Sequence, residues 1–68
     1  MTAKAKELLI MMASKYDQTK DNSLGFIDYM SFPDDVITEL AHVGFIVKLN
    51  DIVGTIELTQ SGYEEAKQ

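Results

Sequence analysis

His42 is the only imidazole in the chain, and the chain has no cysteine, so nucleophilic, redox and thiolate-metal chemistry all begin short of partners. A serine nucleophile needs an adjacent base and a third group that orients the base. Ser14, Ser23, Ser31 and Ser61 offer no visible relay to His42. Asp34 and Asp35 would have to converge to act as a hydrolytic carboxylate pair, but neighbouring helical positions diverge, so they read as acids of a helix's first turn. Asn50-Asp51 starts like a calcium loop yet lacks the alternating oxygen ligands and the closing glutamate, which leaves a hairpin turn. Gly25, Gly44, Gly54 and Gly62 stand singly, with neither the lysine of a phosphate loop nor the cluster of a dinucleotide turn. These residues point to no enzyme, no metal and no cofactor.

Charge is the more informative chemistry. Six lysines, no arginine and eleven acids give a net charge of −5, which favours solubility and repels phosphate backbones at long range. A protein that neutralises about six to ten phosphates would need nearly every lysine on one face. Here Lys4, Lys6 and Lys15 belong to the first helix, Lys20 to a connection, Lys48 to a hairpin and Lys67 to the last helix. At 68 residues, 46% hydrophobic and 25% charged, the composition fits one small globular domain spanning residues 1–68, stabilised by packing alone or by packing shared with a second copy. The apolar run Leu8–Ala13 is too short for a membrane span and no small-residue cleavage site follows it, so the expected setting is the cytoplasm.

The spacing of Ala5, Leu8, Leu9, Met12 and Tyr16 predicts an amphipathic helix from Ala3 to about Asp17. Ile10 and Met11 lie off the centre of that stripe, as part of a wide core face or as a contact between copies. Residues 24–30 suit either a short helix capped by Asn22 or Ser23, presenting Leu24, Ile27 and Met30, or a short edge strand; the reading leans to the helix. Ser31 is placed to cap the next helix, with Pro33 in its first turn, a buried stripe of Val36, Ile37, Leu40 and Val43, and Gly44 as its stop. Phe45–Leu49 and Thr55–Thr59 predict two strands joined by Asn50–Gly54, with Ile56 and Leu58 facing inward. Thr59 then caps a final helix, Gln60–Lys67, that packs through Tyr63 and Ala66.

Helix, Gly44, the apolar pair Phe45-Ile46, a hairpin and then Leu58-Thr59-x-x-Gly62-x-x-x-Ala66 together resemble winged-helix transcriptional regulators of the multiple-antibiotic-resistance and phenolic-acid-repressor type. The resemblance covers roughly the second half of the chain. It implies an α+β fold, a small winged-helix domain with helices packed on a two- or three-stranded antiparallel wing, in which Gly62 permits the turn into the last helix. It also implies that Pro33–Val43 reads bases and that Leu49–Thr55 touches phosphates, as a homodimer on DNA through Ser31, Thr38, His42 and Lys48. The residues depart from that pattern. The presumed reading helix carries Asp34, Asp35 and Glu39 and no lysine or arginine, and Ile52-Val53 puts apolar side chains at the wing tip. The segment ahead of it looks too compact for the usual first strand and second helix.

The reading that best joins fold and charge is a non-enzymatic module that binds another protein or itself. Asp34, Asp35, Thr38, Glu39, Ile52 and Val53 are its candidate contact residues, with Ile10, Met11, Ile52 and Val53 available to a homodimer. Ile52 and Val53 have a blander alternative, folding back on their own domain. A third reading is a small acidic inhibitor from a phage or mobile element whose surface imitates nucleic acid. No membrane and no small-molecule substrate is expected.

Overall fold

The N-terminal periodicity becomes α1, Ala3–Thr19, in a computed structural model that describes residues 1–68. Thr2 caps it, accepting from the Ala5 N–H at 3.2 Å, and it ends at Lys20, whose φ of +62° is the left-handed cap that glycine more often supplies. Ala5, Leu8, Leu9, Met12 and Ala13 are buried. Ile10 and Met11 are exposed, which corrects the wide core face: the buried stripe reaches neither of them.

Asp21 closes the next turn by accepting from the Ser23 N–H at 3.0 Å and the Ser23 hydroxyl at 2.7 Å. These bonds hold its carboxyl below the ordinary range, with a smaller contribution from Lys15. Residues 24–30 then divide between the two predicted structures. Ser23–Leu24 is a strand, β1, and Phe26–Tyr29 is one turn of helix, α2, with Gly25 at its N-cap and neither Asn22 nor Ser23 capping it. The segment therefore does hold a first strand and second helix, in minimal form. Its buried anchors are Leu24 and Tyr29, while Ile27 is 82% exposed and Met30 also faces outward.

The third helix, α3, runs Asp34–His42. Its N-cap is Pro33, with no side-chain cap bond, so Ser31 does not cap it; the chain stays extended through Pro33 and Ser31 is exposed in the turn before. Val36, Ile37 and Leu40 are buried as expected, but Val43 is 51% exposed because the helix has already ended and the chain is turning through Gly44, whose φ is +84°. The hairpin follows as β2, Ile46–Lys48, and β3, Ile56–Leu58, and the sheet order is β1-β3-β2, antiparallel throughout. Register pairs Ile46 with Leu58 and Lys48 with Ile56, and β1 sets Leu24 beside Ile56. Asn22 extends the ladder, its side chain donating to the Leu58 carbonyl at 3.0 Å.

The last helix, α4, spans Gln60–Ala66 and is capped by Thr59, which accepts from the Gly62 N–H at 3.0 Å and donates to the Gly44 carbonyl at 2.7 Å. Gly62 lies inside this helix and makes no turn. An added Cβ would fall 2.1 Å from the Phe45 carbonyl oxygen, so the glycine is there for close approach. The result is an α+β fold with a winged-helix-like order of elements: four helices around a three-stranded antiparallel sheet, with Leu8, Leu9, Met12, Leu40, Ile46 and Ile56 at the centre of the core. No helix is long and apolar enough to cross a membrane.

Candidate functional site

The loop Asn50–Gly54 is built by Asp51. Its carboxylate accepts from the Thr55 N–H at 2.9 Å and the Gly54 N–H at 2.8 Å, and bonding to Thr55 first and Gly54 second holds it below the ordinary carboxylate range. The carboxylate of the supposed calcium-loop start is thus used in shaping the turn. Gly54, at φ +76°, brings the chain back toward α2, where Tyr29 donates its hydroxyl to the Gly54 carbonyl. Burial pushes the Tyr29 hydroxyl pKa up, and the nearby Asp51 and Asp34 charges push it the same way. The wing is thereby fastened to α2, and its tip is left outside: Ile52 is fully exposed and Val53, half exposed, leans toward Gly25. Neither folds into the core.

Between α2, α3 and the hairpin lies a groove of about 390 Å³ lined by Phe26, Tyr29, Asp34, Ile37, Thr38, Lys48 and Gly54. It brings together three residues singled out from sequence, Asp34, Thr38 and Lys48. Lys48 arrives there because it shares a face of β2 with Ile46 and stands at that strand's last position, opposite Ile56. Exposed apolar side chains stand on the same segments, Phe26 and Ile27 on α2, Met30 just after it and Ile52 and Val53 on the wing, and Phe26 packs edge-to-face on Tyr29 with ring centroids 5.5 Å apart. Phe26 and Ile27 were not among the sequence candidates as surface residues, whereas Met30, which the sequence offered as adaptable surface or as a gap-filler, is surface. The missed signal is that a one-turn helix has a single inward position, here filled by Tyr29.

The other candidates fall elsewhere. Glu39 leaves the acidic face and clamps the start of α1, accepting from the Thr2 N–H at 3.2 Å and the Thr2 hydroxyl at 3.3 Å. Asp35 is exposed beside Asp34, and His42 is exposed at the end of α3 with no side-chain hydrogen bond. Ser31 is exposed in the turn before α3, and Ile10 and Met11 sit on α1.

The lysines are distributed unevenly. Lys6 donates to the Glu65 carbonyl at 2.5 Å and the Gln68 carbonyl at 3.3 Å, at the end of α4. Lys15 donates to the Ser23 carbonyl at 2.6 Å, and Lys67 meets Asp17 at 2.5 Å. Lys4 pairs with Glu7 and Lys20 lies over the Tyr16 ring. Lys48 alone is unengaged, and it is the one cation in the groove. Asp28, Asp34 and Asp35 make no ion pair. A smaller open pocket of about 140 Å³ is lined by Tyr16, Asn22, Leu58, Thr59, Gln60 and Tyr63, whose hydroxyl donates to Asp17 at 2.6 Å.

No family model, no curated protein and no solved structure matches this chain.

Proposed function

We propose that the chain is a non-enzymatic binding module whose partner is another protein, met through the face made by α2, α3 and the wing. The observation that carries this reading is the division of charge and apolar surface. Five of the six lysines are engaged with other groups outside the groove lining, while the segment 26–35 and the wing expose Phe26, Ile27, Met30, Ile52 and Val53 and carry Asp28, Asp34, Asp35 and Asp51. Such a surface gains from burying apolar area against protein and loses from approaching phosphates.

The order of elements favours one rival, a DNA-binding homodimer, since Thr38 and Lys48 share one groove. Its weakness is electrostatic: the face that would meet the duplex holds one lysine and several acids. Two measurements separate the readings. Anisotropy of a labelled duplex at low ionic strength, where even non-specific association is strong, is expected to stay flat. A photocrosslinking residue placed at Ile27 or Ile52 is expected to capture protein from cell extract, and the same residue at Ser61 is not. Duplex binding combined with no capture at either position would overturn the proposal in favour of the rival.

A further inference from the structure

We infer that the protein met at the groove between α2, α3 and the hairpin is a second copy of this chain, seated face to face about a two-fold axis; the inference rests on the protein-binding reading above. The groove lining holds one acid, Asp34, and one cation, Lys48. The two do not pair within their own chain, whose ion pairs are Lys4–Glu7, Lys15–Asp21 and Lys67–Asp17. In a two-fold contact, whatever one copy presents to the other it also receives. An axis lying in this face, midway between the two charges and across the line that joins them, sets Asp34 of each copy opposite Lys48 of the other. Two unpaired charges in one groove thus become two reciprocal pairs.

The rest of the charge distribution favours this face for self-pairing. With a net charge of −5 the surface as a whole repels a second copy, and the groove lining is a part of it where the charges balance. The other five lysines are already bonded to carboxylates or carbonyls of their own chain or laid over the Tyr16 ring. At physiological salt the repulsion between whole chains is screened beyond about 8 Å, so the contact itself decides. Apolar surface adjoins the charges. Phe26 lines the groove with half its surface open, beside the buried Tyr29 and Ile37. An added Cβ on Gly54 would fall 3.5 Å from the Phe26 Cβ, and one on Gly25 would fall 3.8 Å from the Val53 Cγ1. The start of α2 and the end of the wing therefore abut, and the half-exposed Val53 stands next to the half-exposed ring. Burying both against their counterparts removes apolar area that a single copy leaves in water. A face occupied in this way also has no Thr38 or Lys48 left for a duplex.

Sedimentation of the intact chain from about 10 μM to about 1 mM, the range of weak association, reads the dimer directly, and amide NMR over the same range locates it. The shifts are expected at Phe26, Thr38, Lys48 and Gly54. Asp34→Lys and Lys48→Asp, both at exposed positions, are each expected to weaken self-association by about 10-fold or more, because each sets like charges opposite one another twice. Asp34→Lys makes the chain less negative, so a general charge effect would strengthen its association where the reciprocal pairing weakens it. An equimolar mixture of the two variants, and the chain that carries both changes, are expected to recover the dimer, since opposite charges then face each other again. A chain that stays monomeric at about 1 mM, shifts centred on Ile10 and Met11, or a mixture no tighter than its parts would overturn the inference. Capture of a different protein through Ile27 or Ile52 under any of those outcomes leaves the protein-binding reading standing. Duplex binding by a monomer that captures nothing overturns both.

Discussion

Gly62→Ala offers the sharpest test of the packing. The new Cβ would lie 2.1 Å from the Phe45 carbonyl oxygen, with Leu58 Cδ1 and the Phe45 carbonyl carbon each at 2.9 Å. The Phe45 oxygen cannot easily yield, because it accepts the Thr59 N–H at 3.1 Å and so ties β2's start to the cap of α4. The helix must retreat instead, by roughly 1 Å, before the contact becomes ordinary. That movement loosens Tyr63 and Ala66 from the core and strains the Thr59 cap. Overpacking of this kind costs about 1–3 kcal/mol, and a rigid carbonyl as the obstacle puts the site at the upper end. Alanine returns about 1 kcal/mol of helix propensity, leaving a net loss of about 2 kcal/mol. For a chain of this size each kcal/mol moves Tm by about 4–8 °C, so thermal unfolding followed by far-UV circular dichroism should show a fall of about 8–16 °C. A melting temperature equal to or above that of the parent would refute the close approach and with it the account of why α4 sits where it does.

Asp17 is held below the ordinary carboxylate range by Lys67 first and then the Tyr63 hydroxyl, while the same bonds raise Lys67 and Tyr63. Its contribution is therefore present in the neutral range and lost as pH falls below about 4, and that of Lys67 and Tyr63 is lost as pH rises past about 10. Asp17→Asn should flatten the stability profile at both extremes, as read by urea midpoints across pH. Tyr29→Phe should cost about 1 kcal/mol and release the wing from α2, with faster amide exchange at Gly54 and Thr55 as its signature; unchanged exchange would count against the tether. Lys20→Gly relieves a left-handed residue at the end of α1 and should add about 0.5–1 kcal/mol, measured by denaturant unfolding, unless the lysine's position over Tyr16 outweighs the strain.

The strongly periodic stretches were legible in the sequence. Ala5 to Tyr16, Val36 to Leu40, the inward pair Ile56 and Leu58, and the Thr59 cap all follow from spacing and from what side chains can bond to locally. What escaped is what only tertiary pairing decides. β1 is two residues long and exists because β3 offers it Ile56 and Glu57, so residues 24–30 could not show their division into strand and helix. Pro33 outcompeted Ser31 because an extended residue ahead of the helix leaves the serine out of reach of its first amides. Gly62 looked like a turn because a glycine required by a neighbour's backbone carries no local mark. At the candidate site, Asp34, Thr38, Ile52 and Val53 were readable as surface. Glu39's withdrawal to Thr2 and the exposure of Phe26 and Ile27 depended on how the helices lie together.

The grip of Lys6 on the carbonyls at the end of α4, and of Asp17 on Tyr63 and Lys67, bears on how the chain is made. During translation α1 leaves the ribosome long before α4, so the flank of α1 that these contacts occupy has nothing to lean on while the hairpin is still being synthesised. A ribosome-bound intermediate halted before Gln60 should stay protease-sensitive with its apolar helix stripe open to chaperones, and native order should arrive late, once α4 has cleared the exit tunnel.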